Sequence, residues 1–183
     1  MRTFLALLSV AASAVCFAAD PAQMVASGIN SIRVRHGLPV LKREERLESA
    51  AKSQCLWMAS VGRMDHLRES PKSYEDFLVS DYHPANRVVK SGYFSFEELF
   101  RIDKGDKGVC VVPLPAANDK VGEIVAHGAG GPMAYDVRVC LNGWMNSPGH
   151  RAEILTEAYR EMGVFVCSPM PNTTYWCVVF AYR

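Results

Sequence analysis

The residues that could do chemistry in this chain are its five histidines, six cysteines and nineteen acidic residues. None of them forms a compact catalytic motif, since the sequence contains no H-E-x-x-H, no G-x-S-x-G and no C-x-x-C. A zinc-protease helix, a serine-hydrolase nucleophile turn and a zinc ribbon therefore have no support. Any site must be assembled from segments that lie far apart in the chain.

The chemistry open to the cysteines depends on the compartment that residues 1–19 predict. Arg2 precedes the apolar run Phe4–Val15, which has the length of a signal peptide and is too short to span a bilayer core of about 30 Å. Small residues follow, so cleavage is expected between Val15 and Asp20. Val15 is a poor residue before a lipidated cysteine, so an anchor at Cys16 is not expected. The prediction is a secreted or periplasmic protein without a transmembrane segment.

Export would expose the five remaining cysteines to an oxidising compartment, where disulfides persist. Cys167 and Cys177 lie in the two strand-like runs that end the chain, and we predict a disulfide between them across that hairpin. Cys110–Cys140 is the second predicted pairing. Cys55 is then the odd thiol, buried in a helix as a small hydrophobe.

The elements that must position these residues follow an α+β pattern, with helices first and an antiparallel sheet last. Asp20 and Pro21 are typical of the N-cap and first residue of a helix, which Gly37 ends. A second helix is predicted from about Lys42 to Ser60. Further predictions are helices over 135–146 and from residue 148, two strands over 162–167 and 174–182, and a loop-rich insertion over 94–120.

Size and charge limit the classes of partner. The 183 residues, 49% of them hydrophobic, predict a single domain over residues 20–183. The chain has 20 basic and 19 acidic residues, and removing residues 1–19 takes away only Arg2. A neutral chain has no overall field to draw it to nucleic acid or to an anionic membrane, so nucleic acid is not an expected partner.

The segment Trp144–Arg151, W-M-N-S-P-G-H-R, resembles the W-x-x-S-P-G-H-R signature of the CAP superfamily. That group contains the cysteine-rich secretory proteins, antigen 5 and the plant pathogenesis-related proteins. Three other segments resemble family motifs in the expected order: N-x-x-R-x-x-H-G-L-P from Asn30, M-D-H ending at His66, and G-E-I-V-A from Gly122. Together they cover most of residues 23–182 and are similar to bacterial-type SCP domains.

The resemblance implies a three-layer α-β-α sandwich with a small antiparallel sheet and a cleft lined by two histidines and two acids. Matched position by position, the histidines are His66 and His150, and one acid is Glu123. No acid matches the second position, because Met145–Ser147 stand in that segment.

Two neutral imidazoles and a carboxylate form a set that zinc accepts while leaving one position open for water. The cleft is therefore a candidate site for a divalent cation such as zinc, with His66 and His150 as ligands. A metal-dependent hydrolase would use the bound water as nucleophile and Glu123 as the candidate catalytic base. The alternative is a structural polar network, in which the histidines cap helix ends and hydrogen-bond to each other or to Glu123.

The other histidines and one apolar stripe have simpler interpretations. His127 is expected at the surface, His36 at the end of the first helix and His83 in a loop. A stripe of apolar residues at 94, 96, 99 and 100 is more typical of core than of a ligand groove, although exposed aromatics beside a cleft would suit a lipid.

Three functions remain open at this point. The favoured one is an exported binding or interaction module. Its cleft would hold a divalent cation or a small apolar ligand, residues 94–120 would shape the rim, and the extracellular partner would be a lipid or a protein. The others are a metal-dependent hydrolase using the same cleft and a structural extracellular domain.

Overall fold

The computed structural model describes residues 20–105, 108–114, 119–131 and 135–183, without the side chains of residues 74, 78, 104, 105 and 108–110. The predicted signal peptide and Cys16 lie outside the described residues. Among the helices that are described, none combines the length and the apolar character needed to cross a membrane.

Of the described elements, helices predominate up to residue 99, and three strands, two helices and two final strands follow. In chain order they are α1 (Pro21–Arg35), β1 (Lys42–Arg43), α2 (Glu45–Val61), α3 (Tyr74–Val79), α4 (Pro84–Lys90), α5 (Phe96–Leu99), β2 (Phe100–Gly105), β3 (Gly108–Pro113), β4 (Val121–Ala129), α6 (Val137–Asn146), α7 (Pro148–Leu155), β5 (Glu161–Met170) and β6 (Thr173–Ala181).

Four strands form the central sheet, in the order β1-β5-β6-β4. The pairs β5–β6 and β4–β6 are antiparallel, whereas β1 runs parallel to β5. The predicted antiparallel sheet is therefore corrected to a mixed one. The difference arises at Lys42 and Arg43, which were expected to begin the second helix. The Lys42 N–H instead donates to the carbonyl of Arg160, so this segment is extended beside β5.

The sheet has a helical layer on each face, which confirms the predicted three-layer α+β arrangement. Successive side chains of a strand point to opposite faces, and β6 divides its residues accordingly. Tyr175, Cys177 and Val179 belong to the hydrophobic cluster that contains residues of α2 and α4. The alternate residues of β6 belong to the cluster that contains residues of α1, α6 and α7: Trp176, Val178 and Phe180.

Helix α2 lies directly against β5, and Gly163 makes this close approach possible. A Cβ atom at Gly163 would overlap the backbone of Leu47 and Glu48. Backbone cannot move aside as a flexible side chain can, so the site excludes every larger residue. This contact fixes the height of α2 above the sheet.

Residues 94–120, predicted to be a loop-rich insertion, contain α5 and the antiparallel hairpin β2–β3. Strand pairing organises a segment whose sequence shows no sustained period. The stripe was correctly interpreted as core, because Phe94, Leu99 and Phe100 are buried in the cluster beneath α2 and α4.

The predicted Cys167–Cys177 disulfide is wrong. The chain turns at residues 171 and 172 as expected, but the register opposes Cys167 to Tyr175 and Cys177 to Phe165, with a bulge between Cys167 and Met170. Both thiols are free. The pairing Cys110–Cys140 stays a prediction, since the side chain of Cys110 lies outside the described part.

Candidate functional site

His66 is held in place through its backbone. Gly62, in the left-handed conformation at φ 68°, ends α2. Past this turn, Gln54 Nε2 donates to the carbonyl of Asp65 at 2.6 Å, and Arg87 Nη2 donates to the carbonyl of His66 at 3.1 Å. The loop is therefore anchored, while the His66 side chain stays 44% exposed.

Glu123 lies on β4 with its side chain only 1% exposed. Its Oε1 is 3.1 Å from His66 Nδ1, and its Oε2 accepts a hydrogen bond from Arg87 Nη2 at 2.6 Å. The Arg87 side chain is fully buried. Both carboxylate oxygens therefore have protein partners, one of them a buried guanidinium.

His150 lies in the first turn of α7, and its ring centroid is 6.3 Å from that of His66. Burial lowers the pKa of His150, and so does the neighbouring His66, so the His150 imidazole is neutral at pH 7. The other end of α7 is held by the buried side chain of Arg33. This guanidinium donates to the carbonyls of Ile154 at 2.8 Å and Thr156 at 2.9 Å.

Glu153 provides the second carboxylate, which the motif comparison did not find. It follows His150 by three residues on α7, so the two side chains share one helix face, and that spacing was the available signal. Glu153 Oε2 accepts a hydrogen bond from the hydroxyl of Tyr159 at 2.7 Å. Burial raises the pKa of Glu153. A Cβ atom at Gly122 would overlap both the Glu153 carboxylate and the Tyr159 hydroxyl.

Two cavities are lined by members of this group of residues. The first, which we call the polar cleft, has a volume of about 300 Å³ and is lined by His66, His83, Glu123 and Glu153. The second, which we call the apolar cavity, has a volume of about 370 Å³ and is lined by Met64, Val139, Cys140, Trp144, His150 and Trp176. The two histidines of the motifs are thus divided between the cavities.

The donor set does not suit a zinc ion. In the parts of the chain that the structure describes, no three His, Cys, Asp or Glu side chains form a group that could hold a metal. A cation beside Glu123 would compete with His66 for Oε1 and would meet the buried charge of Arg87, a repulsion that low-dielectric surroundings strengthen. Zinc at His66 and His150 would need a third ligand from elsewhere.

The apolar cavity is built from two nearly buried indole rings. Trp144 and Trp176 are each 2% exposed, and Trp144 Nε1 donates to the carbonyl of Val125 at 3.0 Å. The indole N–H of Trp144 is therefore satisfied by the protein. Gly143, on α6, also lines the cavity, and nothing lies within 4 Å of the position that its Cβ would take.

Polar side chains also lie among the apolar residues that line this cavity. Ser147, His150 and Asp136 all border the cavity. The Arg138 guanidinium, hydrogen-bonded to Asp136, lowers the pKa of that carboxyl to about 2. Of the residues of 94–120 that the structure describes, none borders either cavity, so that segment does not shape the rim as expected.

The three remaining histidines occupy distinct positions. His36 is the C-cap of α1, as the sequence predicted. His83 is the N-cap of α4, and its Nδ1 accepts a hydrogen bond from the backbone N–H of Ala85 at 3.2 Å. His127 is exposed as expected, although it stacks on Tyr175 with ring centroids 4.6 Å apart and borders the apolar cavity.

The fold has close counterparts among solved bacterial proteins. An outer surface protein of Borrelia burgdorferi gives a TM-score of 0.61 at 18% identity, over 89% of this chain and 92% of that one. An extracellular protein containing an SCP domain, from Bacillus anthracis, gives a TM-score of 0.60 at 21% identity, over 89% and 40%. A cysteine-rich secretory protein of Staphylococcus aureus gives 0.52 at 17%, over 89% and 38%. The chain therefore spans about two fifths of the last two proteins, and at these identities the likeness shows the fold alone.

Comparison with curated proteins finds no match. The family model described as CAP, the cysteine-rich secretory protein family, matches residues 27–182. This range includes the anchored His66 loop, Glu123 on β4 and the whole of the W-x-x-S-P-G-H-R segment. With most of its length matched and these motifs assembled at one site, the chain belongs to the CAP family of cysteine-rich secretory proteins.

Proposed function

We propose that this protein is an exported binding module that takes a small, mainly apolar ligand in the apolar cavity. The observation that carries the proposal is a space of about 370 Å³ bordered by Trp144, Trp176, Val139 and Cys140. Ligand sites are typically apolar concavities of a few hundred cubic ångströms with a small number of polar groups. The cavity has both properties.

The polar groups narrow the ligand class. His150 is neutral at pH 7, and Ser147 carries a hydroxyl, so either can exchange a hydrogen bond with an uncharged group. Asp136 is ionised at the border of the cavity, and no lysine or arginine of the described residues lines it, so an anionic ligand would find no cationic partner there. The proposed ligand is therefore an apolar molecule with one neutral hydrogen-bonding end, such as a medium-chain or aromatic alcohol.

The polar cleft supports a structural role better than a cation site or a hydrolase. Both oxygens of Glu123 are engaged by His66 and Arg87, so this carboxylate is poorly placed to bind a metal or to take a proton from water. The hydrolase alternative therefore has no observation in its favour.

Export is proposed on two grounds. Residues 1–19 have the pattern of a signal peptide. The solved neighbours from Borrelia and Bacillus are described as outer-surface and extracellular proteins. A secreted or periplasmic protein that meets its ligand outside the cytoplasm fits both.

The proposal is tested by calorimetric titration of octanol, octanoate and zinc chloride into the purified protein at pH 7.5. We expect saturable binding of octanol, weaker binding of octanoate and no specific binding of zinc. Gly143→Leu should abolish octanol binding, because a leucine side chain at residue 143 would enter the open space of the cavity. The substitution removes a glycine from a helix interior, so it is not expected to destabilise the fold.

Gly149→Leu is the matched control. Gly149 lies on the neighbouring helix α7, has equally open surroundings and does not border the cavity, so its variant should bind octanol as the unmodified protein does. The proposal would be overturned in favour of a cation site if the unmodified protein bound zinc but not octanol, and if His66→Ala abolished the zinc binding. Binding that survives Gly143→Leu would place the ligand elsewhere.

A further inference from the structure

Two cysteines that the sequence did not pair lie in contact. Cys55 Sγ, on α2, is 3.0 Å from Cys167 Sγ, on β5. This distance is shorter than the ~3.5–4.0 Å at which non-bonded heavy atoms make their best contact. The two sulfurs are therefore in close contact, about 1 Å beyond the ~2.05 Å of a disulfide bond.

The surrounding structure holds both thiols in this arrangement. Cys55 is fully buried and Cys167 is partly exposed. Cys55 Sγ lies 3.2 Å from the carbonyl of Tyr175, and Cys167 Sγ lies 3.5 Å from the carbonyl of Cys55. Because the Gly163 contact fixes α2 against β5, the backbones of the two cysteines keep their spacing, and the sulfurs can separate only by rotation of the side chains.

We propose that Cys55 and Cys167 form a disulfide that clamps α2 to the central sheet. The bond closes a loop of 112 residues, which contains His66, Glu123 and His150. It would thus enclose the residues that line the polar cleft and those that line the apolar cavity, with the exception of Trp176 on β6.

Formation needs a disulfide oxidant, which is the class of reagent that an oxidising compartment supplies. The more accessible Cys167 attacks first as its thiolate, forms a mixed disulfide and releases one reduced thiol of the oxidant. Cys55 then loses its proton and attacks Cys167 Sγ, which forms the internal S–S bond and releases the second reduced thiol. The protein loses two protons and two electrons, and one disulfide of the oxidant takes them up and is reduced to two thiols.

The acid–base properties of the pair agree with this order. The hydrogen bond from Cys55 lowers the pKa of Cys167, whereas the same contact and burial raise the pKa of Cys55. Thiolate character therefore concentrates on the sulfur that an external oxidant can reach.

The test uses the reduced, purified full chain incubated with oxidised glutathione and then alkylated. Digestion without reductant, followed by mass spectrometry, should show the peptide of Cys55 linked to that of Cys167. Trypsin alone cannot assign the bond, because no lysine or arginine lies between Cys167 and Cys177. Chymotrypsin, which can cleave after Tyr175, separates the two. Oxidation should raise Tm by roughly 5–15 °C, given the usual effect of a disulfide that closes a long loop.

The variants Cys55→Ser and Cys167→Ser should each lose the part of this rise in Tm that depends on the Cys55–Cys167 bond. Cys140→Ser, which removes the predicted Cys110–Cys140 pairing, should keep that part, because Cys140 lies on the opposite face of the sheet. The proposal fails if Cys55 and Cys167 are both alkylated after oxidation, if either links to Cys177, or if a stable glutathione adduct remains on Cys167. The peptide assignment is made on the unmodified protein, so the test does not depend on the folding of any variant.

Discussion

The polar cleft and the apolar cavity lie side by side, and they differ in their lining, which is rich in ionisable side chains in the first and mainly apolar in the second. In the polar cleft, Glu123 is bound by His66 and Arg87, and Glu153 is bound by Tyr159. In the apolar cavity, open space lies around Gly143. The side chains with the most obvious chemistry thus hold the fold together, while the proposed ligand site is the apolar cavity next to them.

The two regions should also respond differently to substitution. A buried ion pair adds little net stability, yet removing one partner leaves an uncompensated charge in a low-dielectric interior. An apolar cavity has the opposite behaviour, because filling it adds contacts and removes only the space that a ligand would occupy. The predictions below test this difference.

The largest effect is expected for Arg87→Met, which leaves Glu123 buried without its guanidinium. The free energy of unfolding should fall by about 3–5 kcal/mol, measured by urea denaturation at pH 7. The double variant Arg87→Met/Glu123→Gln should recover part of this loss, since no buried charge is then unpaired. A loss below about 1 kcal/mol in Arg87→Met, the range of exposed ion pairs, would contradict a buried structural pair.

A pair of glycine substitutions compares the two regions directly. Gly122→Ala in the polar cleft should cost about 1–3 kcal/mol, because its Cβ would push against Glu153 and the buried Tyr159. Gly143→Ala beside the apolar cavity should be neutral or should stabilise the protein by up to about 1 kcal/mol. Equal effects of the two substitutions on the urea midpoint would remove the distinction between a glycine packed against side chains and one that faces open space.

A smaller effect is expected at His83, whose neutral Nδ1 caps α4. Burial, and secondarily the charge of Arg87, lowers the pKa of His83 below its ordinary value of 6.5. The unfolded chain therefore takes up the proton first, so stability falls as the pH drops from 6.5 through the lowered pKa. Asparagine is a good N-cap that does not titrate, so His83→Asn should retain about 1 kcal/mol more stability at acid pH.

The measurement is the difference between His83→Asn and the unmodified protein across thermal melts from pH 7.5 to pH 4.5. His150 also has a lowered pKa and contributes in the same direction, but it is present in both proteins, so the difference isolates His83. If the plots of Tm against pH for the two proteins were parallel from pH 7.5 to pH 4.5, protonation of His83 would not affect stability, and the prediction would be wrong.

The sequence predicted this architecture well wherever local signals act alone. Asp20, Pro21 and Gly37 mark the bounds of α1 because caps are local, and the W-x-x-S-P-G-H-R segment placed His150 at the start of a helix. Prediction from the sequence failed where the structure of a segment depends on pairing with a strand that is distant in the chain. Lys42 and Arg43 become a strand only because β5 lies beside them.

The site shows the same limit. His66 and Glu123 were expected to lie in one cleft because their motifs resemble those of a known family, and His66 Nδ1 lies 3.1 Å from Glu123 Oε1. The second partner of Glu123, Arg87, was not expected, since it lies in no recognised motif and its guanidinium reaches β4 only in the folded chain. The cysteine pairing was wrong for a related reason, since the register of β5 and β6 and the height of α2 above the sheet are set by packing.

The most direct test of the central claim is a titration of octanol into nitrogen-15-labelled protein. Binding is monitored by NMR through the indole N–H signals of the three tryptophans. Trp144 and Trp176 border the apolar cavity. Trp57 does not border it, because it lies on α2, under the guanidinium groups of Arg63 and Arg68. We predict saturable shifts of the Trp144 and Trp176 signals, no shift of the Trp57 signal, and loss of all shifts in Gly143→Leu. Shifts confined to Trp57, or no shift at saturating octanol, would contradict a ligand site in the apolar cavity.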